Sequence, residues 1–151
     1  MLSLSGVSAV VWLEGTNDFS RNGTASAEEV QAGMRDAVGR IRARLPGVRV
    51  VGATVVSALG STSPAHGFAE QDEKRKALNA FVRDSGLFDA VVDFDAATLD
   101  PGTGGLRPEM VPDSTSGGPG DRLHPNRAGY LAMGTSVDLG TVAPSSAAKH
   151  R

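Results

Sequence analysis

Apolar and polar residues fall in blocks along this chain, and the length and period of each block assign it to strand or helix. Residues 7–13, VSAVVWL, are almost continuously apolar and rich in valine. A short run of that kind reads as a strand covered on both faces, as in a parallel sheet between helix layers. Residues 14–25 are polar and contain glycine, so they form a loop. Ser26 and Glu29 then stand at the Ser-x-x-Glu spacing of a capping box. Behind them Val30, Met34, Ala37, Val38, Ile41 and Leu45 recur at helical spacing, which predicts an amphipathic helix over 27–45, ended by Pro46 and Gly47. Residues 48–56, VRVVGATVV, are a second buried strand, and a loop with Gly60, Pro64 and Gly67 follows.

The next block predicts a helix over 70–85. Glu70, Asp72 and Glu73 lie in its first turn, where the helix dipole favours acids. Leu78, Phe81 and Val82 give it an apolar face, and Gly86 is its stop. Residues 88–94, FDAVVDF, predict a third strand. A stretch of about 30 residues with little periodicity comes next; loops of that length in compact domains are often functional. It ends in Asp121-Arg122-Leu123-His124-Pro125, and Pro125 suits the first position of a last helix over 125–136. The domain is expected to span 1–140, and the small, polar residues 141–151 to form a flexible tail.

The order strand, helix, strand, helix, strand, loop, helix, joined by right-handed crossovers, gives a three-layer α/β/α sandwich with a parallel sheet. In such sheets ligands bind beyond the carboxyl ends of the strands. The turn at Gly15–Asp18 and the loop leading to His124 both emerge at that edge.

Composition narrows the functional classes. A net charge of -2 with no long run of Lys or Arg argues against a nucleic-acid surface. The absence of cysteine removes disulfides, thiolate nucleophiles and Cys-zinc sites. No run approaches the roughly 18 apolar residues of a membrane span, and the first residues, MLSLSGV, lack the basic and apolar regions of a signal peptide. As it stands the chain reads as cytoplasmic. Nineteen glycines, mostly outside the periodic segments, indicate long shaped loops around a compact frame.

Two groups of residues can carry chemistry. Gly15 and Asn17 lie just past the first strand, and a carboxamide there is a good donor to a developing oxyanion. The competing reading is an Asx turn that only ends the strand. Asp121 and His124 have a spacing across a helix start that can bring the carboxylate to the imidazole Nδ1, leaving Nε2 as a general base. The competing readings are a helix cap with a surface histidine, and a metal site using Asp113, Asp121 and His124.

Gly15-Thr16-Asn17-Asp18 resembles the GxND block of the SGNH (GDSL-type) ester hydrolases, and Asp121-Arg122-Leu123-His124-Pro125 resembles their DxxHP block. The separation of the blocks and the element order between them also match, over residue 7 to about residue 137. The resemblance implies a flavodoxin-like sheet order and hydrolysis of esters, thioesters or acyl groups without metal or cofactor. Asn17 and Gly15 would then belong to the oxyanion site, His124 would be the general base and Asp121 would orient it. The departure is equally plain. The family's Gly-Asp-Ser nucleophile block occurs nowhere, and only 14 residues precede Gly15. The chain resembles a member truncated at the N-terminus, starting just before its third strand.

Two expectations follow from that departure. The strand of residues 7–13, with Val7 and Leu13 at its ends, loses a neighbour and becomes a Val-rich edge, so a homo-oligomer should cover it. Another group must also serve as nucleophile. Ser57, at the end of the second strand, is the first candidate; Ser20, Ser61, Ser63, a serine of a neighbouring subunit, and a water on His124 are the others. The partner expected is a small-molecule ester with a short acyl group. The alternative function is an inactive fragment serving binding or assembly.

Overall fold

The computed structural model describes residues 6–143. The expected tail begins inside its last helix, and positions 144–151 of that tail lie outside the described residues. Three parallel strands, β1 (Ala9–Trp12), β2 (Arg49–Ala53) and β3 (Ala90–Val92), form one sheet in the order β1-β2-β3. Val10 pairs with Val50 and Gly52 with Val91, so the strands run in register with their carboxyl ends together.

Helices α1 (Ala27–Arg44) and α2 (Ala69–Asp84) pack on one another against one face. The capping box forms as its spacing predicts: Glu29 N–H donates to Ser26 Oγ at 3.1 Å, and Ser26 N–H to the Glu29 carboxylate at 2.8 Å. Val38 and Ile41 of α1 bury against Val10 and Val50, while Met34, Leu78 and Val82 close around Phe19 and Val55. The other face, carrying Val51, Ala53 and Val92, is covered by Met133, Val137 and Val142. Those residues come from α4 (Arg127–Thr135), α5 (Leu139–Val142) and the link between them. This is the expected three-layer sandwich. No helix among the described residues is long and apolar enough to cross a membrane.

The differences from the expected boundaries have local causes. The second strand stops at Ala53 because Val55 pairs its backbone with a side chain: Val55 N–H donates to Asn79 Oδ1 at 2.7 Å, and Asn79 Nδ2 donates to Val55 O at 2.9 Å. The third strand ends at Val92 because the Asp93 carboxylate accepts the Ala96 N–H and caps a short helix, α3 (Phe94–Thr98). Asp72, read as a first-turn acid, is buried and paired with Arg75 and Lys76 at 2.7 and 2.8 Å. Arg75 also reaches Asp95 and the Val55 carbonyl, which locks α2 to α3 behind the carboxyl end of β2. The last helix begins after Asn126 rather than at Pro125, since Asn126 Oδ1 accepts the N–H groups of Ala128 and Gly129.

β1 is the edge of the described sheet, with Val11 47% and Leu13 40% exposed. The Trp12 indole N–H is buried without a hydrogen-bond partner among the described residues. A cleft of about 510 Å³ runs beside it, lined by Trp12, Glu14, Asp18 and the Val30–Met34 face of α1.

Candidate active site

The chain after β1 turns sharply at Gly15. Its φ of +129° and the position of Leu78, whose Cδ2 would lie 2.6 Å from a Cβ there, exclude any other residue without displacement. Phe19 anchors the turn by burying its ring in the core, and Phe19 N–H donates to Gly15 O at 3.2 Å. Ser20 Oγ donates to Asn17 O at 2.7 Å. These contacts fix the backbone of Asn17 and leave its exposed carboxamide without a hydrogen bond to any described residue.

The second block is shaped just as tightly. Gly120 has φ +75°, and a Cβ there would strike the Val111 carbonyl. Asn126 ties the start of α4 to the preceding loop, its Nδ2 donating to Glu109 O and Pro112 O at 2.9 and 2.8 Å. Between these anchors the Asp121 carboxylate is filled with donors. Oδ1 accepts the N–H groups of Leu123 and His124, each at 2.9 Å, and Oδ2 lies 2.7 Å from His124 Nδ1. Burial pushes the Asp121 carboxyl up, but the His124 N–H, the His124 ring and the Leu123 N–H outweigh it and bring it down to about 2. An ionised carboxylate only accepts, so the neutral His124 ring carries its proton on Nδ1 and presents a lone pair on Nε2. The ring is half-exposed, with 51% of its side chain open to solvent.

The loop after β2 is stapled to this block. Thr62 N–H and Ser61 Oγ both donate to Asp121 O, at 3.1 and 2.9 Å. The same loop meets the Asn17 turn, where Arg21 N–H donates to Ala65 O and Gln71 Nε2 donates to Thr16 O, each at 3.1 Å. Asn17, Asp121 and His124 are thereby held by loops at one edge of the sheet. The arrangement can take a proton at His124 Nε2 and offer N–H donors from Asn17.

The serines fare differently. Ser57 is fully buried; its Oγ donates to Gly104 O at 2.7 Å and accepts the Leu59 N–H at 3.1 Å. It sits in a turn with its Oγ engaged on both sides, and it makes no hydrogen bond to His124. The hydroxyls of Ser20 and Ser61 are committed likewise, to Asn17 O and Asp121 O. Ser63 Oγ has no hydrogen bond to a described residue. Asp113 is exposed with φ +53°, and no cluster of three His, Asp or Glu with metal-binding geometry occurs among the described residues.

Sequence reasoning missed three residues here: Gln71, Asn126 and His66. Gln71 and Asn126 act through partners 14 to 55 positions away, which spacing along the chain does not encode, and His66 is engaged by Gln71. A cleft of about 490 Å³ flanks the Asp121 loop, lined by Leu59, Leu106, Val111, Pro112 and Arg122 among others.

Known proteins share this frame. A candidate acylhydrolase from Bacteroides fragilis matches with a TM-score of 0.69 at 19% identity, over 89% of this chain and 61% of its own. A GDSL-like lipase from Bacteroides thetaiotaomicron matches with a TM-score of 0.70 at 18% identity, over 89% of this chain and 62% of its own. The chain therefore spans about three fifths of the length of these structures, and at such identity the likeness shows the fold. A comparison with curated proteins gives no match. The sequence profile of the GDSL-like Lipase/Acylhydrolase family covers residues 3–132, most of the chain. With the fold and the profile in agreement, the chain belongs to the GDSL-like lipase/acylhydrolase family.

Proposed function

We propose that this chain provides the acid–base and oxyanion side of a carboxylic ester hydrolase acting on short acyl esters. The observation that carries this reading is the Asp121–His124 contact of 2.7 Å, with Nε2 left free at the edge that also holds the unengaged Asn17 carboxamide. In this reading His124 Nε2 takes the proton of the attacking hydroxyl, the carbonyl oxygen becomes an oxyanion held by Asn17, and His124 returns the proton to the departing alkoxide. Asp121 stays ionised throughout and stabilises the imidazolium. The attacking hydroxyl is a serine or a water outside the committed hydroxyls of Ser20, Ser57 and Ser61.

A fluorophosphonate probe tests this directly. Covalent labelling of one serine, located by mass spectrometry, supports the enzyme and names its nucleophile. The absence of Gly-Asp-Ser from the sequence favours a second reading, a binding or assembly module without turnover. No labelling together with no hydrolysis of p-nitrophenyl butyrate supports that one.

We further propose that a second copy of the chain covers the β1 edge. Val11 and Leu13 stand exposed there, and the Trp12 N–H lacks a partner among the described residues. A two-fold arrangement is the most common closed solution, and the β1 strand at this edge leads into the Asn17 turn. Light scattering at micromolar concentration should give a dimer or even-numbered oligomer; a monodisperse monomer contradicts it. Replacing the exposed Val11 with Lys should dissociate it.

A further inference from the structure

His66 lies on the loop that joins the Asn17 turn to the Asp121 block, and its protonation state can be derived from heavy-atom contacts. Gln71 Oε1 accepts the Gly67 N–H at 2.8 Å, and Gln71 Nε2 donates to Thr16 O at 3.1 Å. A backbone N–H only donates and a backbone carbonyl only accepts, so the orientation of this carboxamide is settled by its neighbours. One Nε2 hydrogen remains, and it points at His66 Nδ1, 2.8 Å away. That ring nitrogen must therefore be an acceptor, which puts the His66 proton on Nε2. Gln71 is buried, so no water competes for these bonds. The ring itself is partly exposed, and its Nε2 makes no hydrogen bond with any described residue.

The loop that carries that free N–H is bonded to both parts of the site already described. The loop carrying His66 is bonded to Asp121 O through Ser61 and Thr62. Through Gln71 the ring is one amide away from Thr16, the residue before Asn17. Burial holds the His66 imidazole below its ordinary range; His124, whenever it is protonated, lowers it further, and Asp121 pulls it up, so both partners of the proposed base pair act on this ring.

We propose that His66 is a substrate-contacting residue: a neutral imidazole whose Nε2–H donates to an oxygen of the bound ester, with Gln71 as the positioning residue that fixes its tautomer. The inference rests on the hydrolase reading above. It gives the site two imidazoles with opposite functions, a base at His124 and a donor at His66, and it supplies a neutral donor that does not compete with the ester for the proton His124 handles.

Nitrogen-detected NMR of the histidine rings in the full chain at neutral pH tests it, with butyrate, the acid product of a butyrate ester, as the probe. The account expects His66 protonated on Nε2 alone, and expects the His66, His124 and Asn17 side-chain signals to move together on adding butyrate. Gln71→Leu should convert His66 to a mixture of tautomers. A His66 protonated on Nδ1 in the unaltered chain overturns the proposal. So does movement of His124 and Asn17 while His66 stays fixed. If none of the three moves, the hydrolase site itself is wrong and the role of His66 falls with it. With p-nitrophenyl butyrate, His66→Ala should lower kcat/KM about five- to tenfold, the size of one neutral hydrogen bond. His66→Gln, which restores a donor, should recover most of that loss; equal losses in both variants mark a structural role instead.

Discussion

His124 and His66 are the same side chain at the same edge of the sheet, and the groups behind them give their free nitrogens opposite hydrogen-bonding characters. Behind His124 stands the Asp121 carboxylate, an acceptor that draws the ring proton to Nδ1 and leaves Nε2 a base. Behind His66 stands the Gln71 amide, a donor that fills Nδ1 and leaves Nε2–H exposed. The difference between carboxylate and amide decides which ring can take a proton from a nucleophile and which can only donate to an oxygen. What tells the two apart is the hydrogen-bonding partner rather than the histidine.

Exchanging the partners should therefore exchange the behaviour. Asp121→Asn gives His124 an amide like that behind His66. The amide can reverse the tautomer and leaves no charge to stabilise an imidazolium, so kcat/KM for p-nitrophenyl butyrate should fall by about 10³ to 10⁴. Retained activity would mean that His124 is not the base. Asn17→Ala removes only the proposed oxyanion donor, and kcat should fall by about 10² to 10³ with KM little changed. A rise in KM alone would make Asn17 a ground-state contact. Gln71→Glu makes the reverse exchange, giving His66 a carboxylate. It should raise the His66 pKa and shift its proton to Nδ1 in an NMR titration, while kcat/KM falls about tenfold or less. An unchanged His66 tautomer would break the comparison.

The pH dependence of stability sharpens it further. Asp121 titrates near 3.8 when free and near 2 in the folded chain. Asp93 has the same ordinary value; burial raises it, but Arg83, the Ala96 N–H and Thr54 bring it to about 2. Both carboxyls are lower folded than unfolded. Their stabilisation is therefore complete above about pH 5 and is lost as the pH falls toward 2. Thermal melts should show the midpoint dropping across that window, and Asp121→Asn should make the drop shallower. A melt independent of pH between 5 and 2 would contradict the contacts at both residues.

Much of the frame was legible in the sequence because its signals are local. The valine-rich runs gave three parallel strands, and Ser26 with Glu29 gave the start of α1. Asp121 and His124, three residues apart, carry their own geometry, and so does the turn at Gly15 and Asn17. The losses came where a distant group decided the outcome. Asn79 replaces a strand partner for Val55, 24 positions away, and Asp95, 20 positions from Arg75, joins the buried Asp72–Arg75 pair. His66 takes its function from Gln71, whose orientation depends on Thr16, 55 positions earlier. The contact of the Ser57 hydroxyl with Gly104, on a loop 47 residues on, was equally illegible along the chain.

The central claim is that His124 acts as a general base at this edge. The most direct test compares the purified chain with His124→Ala in steady-state hydrolysis of p-nitrophenyl butyrate, with circular dichroism to establish that both are folded. The account predicts a loss of at least about a hundredfold in kcat/KM; equal rates for the two proteins would contradict it.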